Sequence, residues 1–159
     1  MRIQLIAAAF AVLVPAIAFA AEQPVDPYVQ SPANADATPL ASDGTFKAFG
    51  GKAGVDRVVA GMIARATKDP RISDIFKSQD LERLQRTLSE QICYVLDGGC
   101  AYTGRDMKTA HKDLGIQPSD MNALVENLQL AMDAEKVPFA AQNRLLAKLA
   151  PMRRDVVTR

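Results

Sequence analysis

The chain is poor in the residues that most site chemistries need. It holds one histidine, His111, two cysteines, Cys93 and Cys100, and no tryptophan. A zinc site of mixed Cys and His takes four ligands at short spacings, which these three residues cannot supply. No C-x-x-C-H segment is present for thioether attachment of a haem. No glycine-rich loop runs into Lys-Ser or Lys-Thr to cradle phosphates. A Ser-His-acid triad would have to use His111, and no nucleophile elbow lies near it. Net charge is also small: 19 Lys and Arg face 18 Asp and Glu, which gives no reason to expect nucleic acid or an anionic membrane surface as partner. No stretch alternates apolar and polar residues as a half-buried strand does. No internal repeat is present.

Only one long apolar run occurs, at the N-terminus. Arg2 supplies a basic start, Ile3 to Val14 is almost unbroken apolar sequence, and Ala18-Phe19-Ala20 has the A-x-A form of a cleavage site. The run is shorter than the ~20 residues of a membrane-spanning helix. It predicts a signal peptide over 1–20, cleaved after Ala20, and a periplasmic or secreted protein with no membrane anchor after cleavage. Loss of Arg2 takes the formal charge from +1 to zero.

Export changes how the cysteines read. In an oxidising compartment a pair favours a disulfide. Cys93 and Cys100 are seven residues apart, about 10.5 Å in one continuous helix, beyond the ~7 Å that a disulfide spans. A bridge therefore requires the helix to end between them, and Asp97-Gly98-Gly99 is a helix-stop signal at that place. The expectation is an intramolecular Cys93–Cys100 disulfide clipping a helix end to the loop that leads to His111.

Residues 21–45 carry four prolines and no apolar period, and read as a flexible leader. A domain over 46–156 follows, with 157–159 as a tail. Phe46 to Gly51 is a short segment ending in a glycine turn. Val55, Val58, Val59, Met62, Ile63 and Ala66 then mark one stripe of a helix over about 54–67. Pro70 to Phe76 reads as one helical turn. Asp80 is a candidate N-cap for a helix over about 81–96 with Leu81, Leu84, Leu88, Ile92 and Val95 inside. A short helix over about 104–113 carries His111, another spans about 118–135, and a last one about 139–150, stopped by Pro151 before a polar end. The fold class is all-α, with five or six helices.

Met107, His111 and Leu114 share one helix face by their spacing of four and three, so the imidazole points with apolar side chains toward a core. On the residues alone, it is either a hydrogen-bonded core histidine or a proximal ligand to haem iron.

YTGRDMKTAH, with paired glycines just before it, resembles the proximal region of the group I truncated haemoglobins. Phe46 to Gly51, Pro70-Arg71-Ile72 with Ile75-Phe76, residues 80–99, and the closures at Val137-Pro138 and Leu149 to Met152 resemble that family's landmarks in order, over about 45–156. The resemblance implies a truncated globin, a two-over-two helical sandwich around non-covalent haem b. His111 matches the iron ligand, Phe76 the phenylalanine packing on the haem, and Met107 a haem contact one turn before the ligand. Tyr102 matches the tyrosine of the entering loop, where packing the turn is an equal reading. The family's distal tyrosine is replaced by Ile63, after Met62, and its polar distal groups by Leu88 with Leu84 a turn earlier. A register slip would bring Gln85 and Ser89 inward instead; the unslipped one puts all the apolar residues inside.

The implied function is a haem protein reversibly binding a diatomic ligand (O2, NO or CO), in oxygen transport, storage, sensing, NO chemistry or electron transfer with an unknown redox partner. An apolar distal pocket favours CO and NO over O2. With one histidine, bis-histidine coordination within a monomer is excluded; Met62 or a lysine is the remaining candidate for a sixth ligand, and an open or weakly held site is favoured. The alternatives are a haem-free helical interaction module and an enzyme, either an NO dioxygenase or a weak peroxidase. The absent distal donor and distal histidine argue against the enzymes.

Overall fold

The valine-rich stripe becomes the centre of the molecule. In the computed structural model, which describes residues 21–42 and 44–158, Val55, Val58, Val59, Met62, Ile63 and Ala66 are all buried on helix α2, Gly51–Ala66. α1, Thr45–Ala48, precedes it, and the corner between them uses left-handed backbone at Gly50 (φ 80°) and Gly51 (φ 66°), which glycine adopts without a Cβ clash. After the single turn α3, Ser73–Phe76, comes α4, Leu81–Val95. Asp80 caps it, its carboxylate accepting the Arg83 N–H at 3.0 Å. α5, Met107–Ala110, is again one turn; α6, Pro118–Ala134, and α7, Phe139–Leu149, are long. α2 packs against α4 and α6, and α7 closes over α1 and α4. The result is the all-α, two-over-two arrangement, with no strand among the described residues. The expected signal segment, residues 1–20, lies outside them.

The end of α4 behaves as its sequence demands. Asp97 turns left-handed (φ 61°), and the chain doubles back through Gly98. A Cβ there would stand 2.5 Å from the Phe46 ring and 2.7 Å from Cys93 Sγ, so only glycine fits. The reversal joins Cys93 to Cys100 in a disulfide, with their Cα atoms 5.7 Å apart.

Two segments make contacts that their sequence does not announce. Residues 21–42 contain one 3-10 turn, Pro32–Ala35, and otherwise irregular backbone, but they lie along the domain. The Tyr28 hydroxyl donates to the Thr103 carbonyl at 2.7 Å, Glu22 pairs with Arg86 at 2.5 Å, and the Leu40 N–H donates to the Val95 carbonyl at 2.8 Å. Such anchoring leaves no periodic trace in sequence. The polar end, within the domain expected to run to residue 156, is packed as well. Pro151 sits in the first turn of a new 3-10 segment, Ala150–Met152, which continues into α8, Arg153–Val156, burying Met152 and Val156. Proline stops a helix interior but is tolerated at its start.

Candidate functional site

Between the layers lies an apolar cavity. Its border includes every residue singled out in sequence: Met62, Ile63, Phe76, Leu84, Leu88, Tyr102, Met107 and His111. α2, α3 and α4 build one wall. Across from it stand α5, the loop after it, and Met121 and Leu124 of α6.

The element that carries His111 is shorter than expected. α5 ends at Ala110 with His111 as its C-cap, because Asp113 (φ 65°) and Gly115 (φ 64°) turn the chain left-handed. Leu114 therefore reaches the cavity rim but is 37% exposed. The short helix is held at its start by Asp106, whose carboxylate accepts the Thr109 N–H at 2.9 Å.

Within this setting the imidazole is well defined. His111 Nδ1 lies 2.8 Å from the Met107 carbonyl oxygen. A carbonyl only accepts, so the bond places the ring proton on Nδ1. Burial pushes the imidazole's pKa below its ordinary value, and the carbonyl bond opposes this only in part. The neutral ring thus keeps a lone pair on Nε2, which has no partner among the described residues.

Tyr102 stands at the cavity and in the turn that leads to α5. It is 7% exposed and borders the cavity, while its hydroxyl donates to the Arg105 carbonyl at 2.7 Å and closes the turn. Burial raises its pKa well above the ordinary phenol range, so the hydroxyl stays a donor.

On α4 the unslipped register holds. Leu84 and Leu88 face the cavity; Gln85 is exposed, and Ser89, though buried, does not reach the cavity and stands beside Lys52 and Asp56. Leu81, at the first turn, is corrected from inside to 38% exposed. Sequence reasoning missed Thr87 and Gln91, which also line the cavity. Each stands three residues after a pocket leucine, and that i+3 spacing was the available signal. Both polar groups are engaged with backbone: Thr87 Oγ1 donates to the Arg83 carbonyl at 2.9 Å, and Gln91 Nε2 to the Ala35 carbonyl at 3.1 Å. Val156, from the polar end, is a further lining residue.

An all-α sandwich with one half-buried, proton-fixed imidazole at the border of an apolar slot defines a globin-like pocket protein. Residues 44–158 match the family described as bacterial-like globin, and the chain belongs to that family. Among its relatives, a group 1 truncated hemoglobin of Mycolicibacterium paratuberculosis is 26% identical over 113 residues, covering 71% of this chain and 83% of that protein. The truncated hemoglobin of Tetrahymena pyriformis, in its Fe(III) form, superposes with a TM-score of 0.69 at 23% identity, over 72% of this chain and 98% of that one. A 2/2 hemoglobin of Synechococcus, in the cyanomet state with covalently attached heme, gives 0.68 at 26% identity, over 75% and 100%.

Proposed function

We propose that this protein binds haem b non-covalently and holds a diatomic gas there, with His111 as the iron's protein ligand. One observation carries the reading: a neutral imidazole, its proton held on Nδ1 by the Met107 carbonyl, faces an apolar cavity with Nε2 unpartnered. That is the donor arrangement a metal-bound histidine needs, with its second nitrogen fixed by a hydrogen bond. The lining fits a flat, largely apolar group as well. Phe76, Met107, Met121 and Leu124 offer packing surface, and the polar Gln79 and Asp120 sit on the same border.

When bound, the haem supplies an iron coordination site for a small gas. The chain's own residues do the rest. His111 would hold the iron, with its ring fixed by the Met107 carbonyl. Ile63, Leu84 and Leu88 would keep water from the bound group. The donors on that wall, Thr87 and Gln91, are turned to backbone carbonyls, which suits neutral ligands such as CO and NO more than O2, whose bound form gains from a donor. The protein is further proposed to work after export, because a signal-like N-terminus and a disulfide suit the same oxidising compartment.

The test is a visible spectrum of reconstituted protein, with and without CO, for the parent and His111→Ala. The expected result is a Soret band that shifts with CO in the parent, and a tenfold or greater loss of haem retention in the variant. Unchanged retention and spectrum in His111→Ala would refute the assignment.

A further inference from the structure

α5 is a single turn of four residues, far below the length at which a helix is stable by itself. The orientation of His111 therefore depends on whatever holds α5 from outside. We propose that Asp36, in the N-terminal segment that precedes the family match at residues 44–158, is a positioning residue for His111; the inference rests on the haem-binding reading.

The connection is direct. Asp36 Oδ2 accepts the Met107 N–H at 2.6 Å, and the carbonyl of the same Met107 accepts from His111 Nδ1 at 2.8 Å. One residue is thus gripped at its amide by the leader and grips the imidazole with its carbonyl. Asp106 takes the Thr109 amide of the same turn, so carboxylates hold this helix start from two separate segments. Ala35, immediately before Asp36, is fully buried and receives the Gln91 amide on its carbonyl. Neighbouring leader residues therefore clasp one residue from each wall of the cavity.

The carboxylate is delivered by fixed backbone. Asp36 ends the 3-10 turn Pro32–Ala35 in left-handed conformation (φ 53°), with its N–H returned to the Ala33 carbonyl; aspartate tolerates that region better than most residues. The Ser31 hydroxyl caps the other end of the turn. Tyr28 and Leu40 fasten the segment on either side of it. Loss of a group that orients a ligating histidine typically costs ten- to a hundredfold in affinity for the metal centre.

The experiment compares the parent, Asp36→Ala, Asp36→Asn and Tyr28→Phe in unloaded and haem-loaded protein. In unloaded protein, Asp36→Ala is expected to speed hydrogen exchange at the Met107 amide and the His111 Nδ1 proton by about tenfold or more. In loaded ferrous protein it is expected to shift or broaden the iron–histidine stretching band and to speed haem release by about tenfold. Asp36→Asn, which keeps an acceptor oxygen, should restore most of each signal. Tyr28→Phe removes a leader anchor remote from α5 and should leave the stretching band in place. Parental exchange and an unshifted band in Asp36→Ala would overturn the proposal, as would an equal shift in Tyr28→Phe, which would trace the effect to general docking of the leader. A parent that takes up no haem overturns the functional reading instead, and the unloaded exchange then decides whether Asp36 holds the imidazole.

Discussion

At the scale of single residues, chemistry follows from which polar groups are already engaged. Asp69 stands where α2 gives way to α3. Its carboxylate takes the Arg71 guanidinium at 2.7 Å and the Asn127 amide at 2.8 Å, tying the end of α2 to α6. The Arg71 side-chain bonds first, then Asn127, hold its pKa well below the ordinary carboxylate range. A depressed folded pKa gives stability that is complete above the unfolded value, about 4, and is lost as pH falls through the folded one. Urea titrations should show the parent's advantage over Asp69→Asn in full at pH 6 and shrinking below pH ~4; a constant gap would contradict the assignment. Across the cavity, Leu88→Gln places an amide where the wall has none free. A hydrogen bond to a charged or polarised ligand is worth ~1.5–3 kcal/mol, so O2 affinity relative to CO should rise by about tenfold or more, as read by competitive gas titration. The eight residues brought forward by the family resemblance all border the cavity; apolar spacing alone places most of them inside and gives none of them a role. Thr87 and Gln91 escaped because side chains bonded to backbone look, in sequence, like any polar residue on a helix.

At the scale of elements, length decided what could be read. α2, α4, α6 and α7 each repeat their apolar period several times, so their ends fall within about three residues of those expected from the pattern. α5 has no such redundancy. The spacing Met107, His111, Leu114 predicts a longer helix, but left-handed backbone at Asp113 cuts it short. The disulfide was legible because it follows from arithmetic: a helix cannot bring Cys93 and Cys100 together, and a reversal at Gly98 can. Chain-entropy reasoning for so short a loop gives about 2 kcal/mol of stabilisation. Cys100→Ser should lower the urea-derived stability by that amount, and reducing the parent should reproduce the loss without further effect on the variant. Equal stability of the oxidised parent and the variant would show that the turn is held by Phe46 packing on Gly98 alone.

At the scale of the whole molecule, the leader and the last turns were the least legible parts, and for one reason. Both are held by contacts that are distant in sequence, such as Tyr28 to Thr103 and Arg153 Nη1 to Asn122, so no local period announces them. They matter because α2 already packs on α4 and α6, while the cavity lies between α4 and the single turn α5; whatever fills it adds contacts between those walls. A group that binds the folded state and not the unfolded chain stabilises by mass action, about 2.7 kcal/mol at a hundredfold excess over its Kd. For a domain of this size each kcal/mol moves Tm by about 4 °C. Thermal melts with saturating haem should therefore rise by roughly 10 °C over the unloaded protein. His111→Ala keeps the apolar walls and loses the ligand, so its rise should be distinctly smaller. The comparison separates two kinds of binding: equal shifts in both proteins would mean that haem is held by apolar burial alone, and no shift in either would leave the sandwich as a helical module without this cofactor.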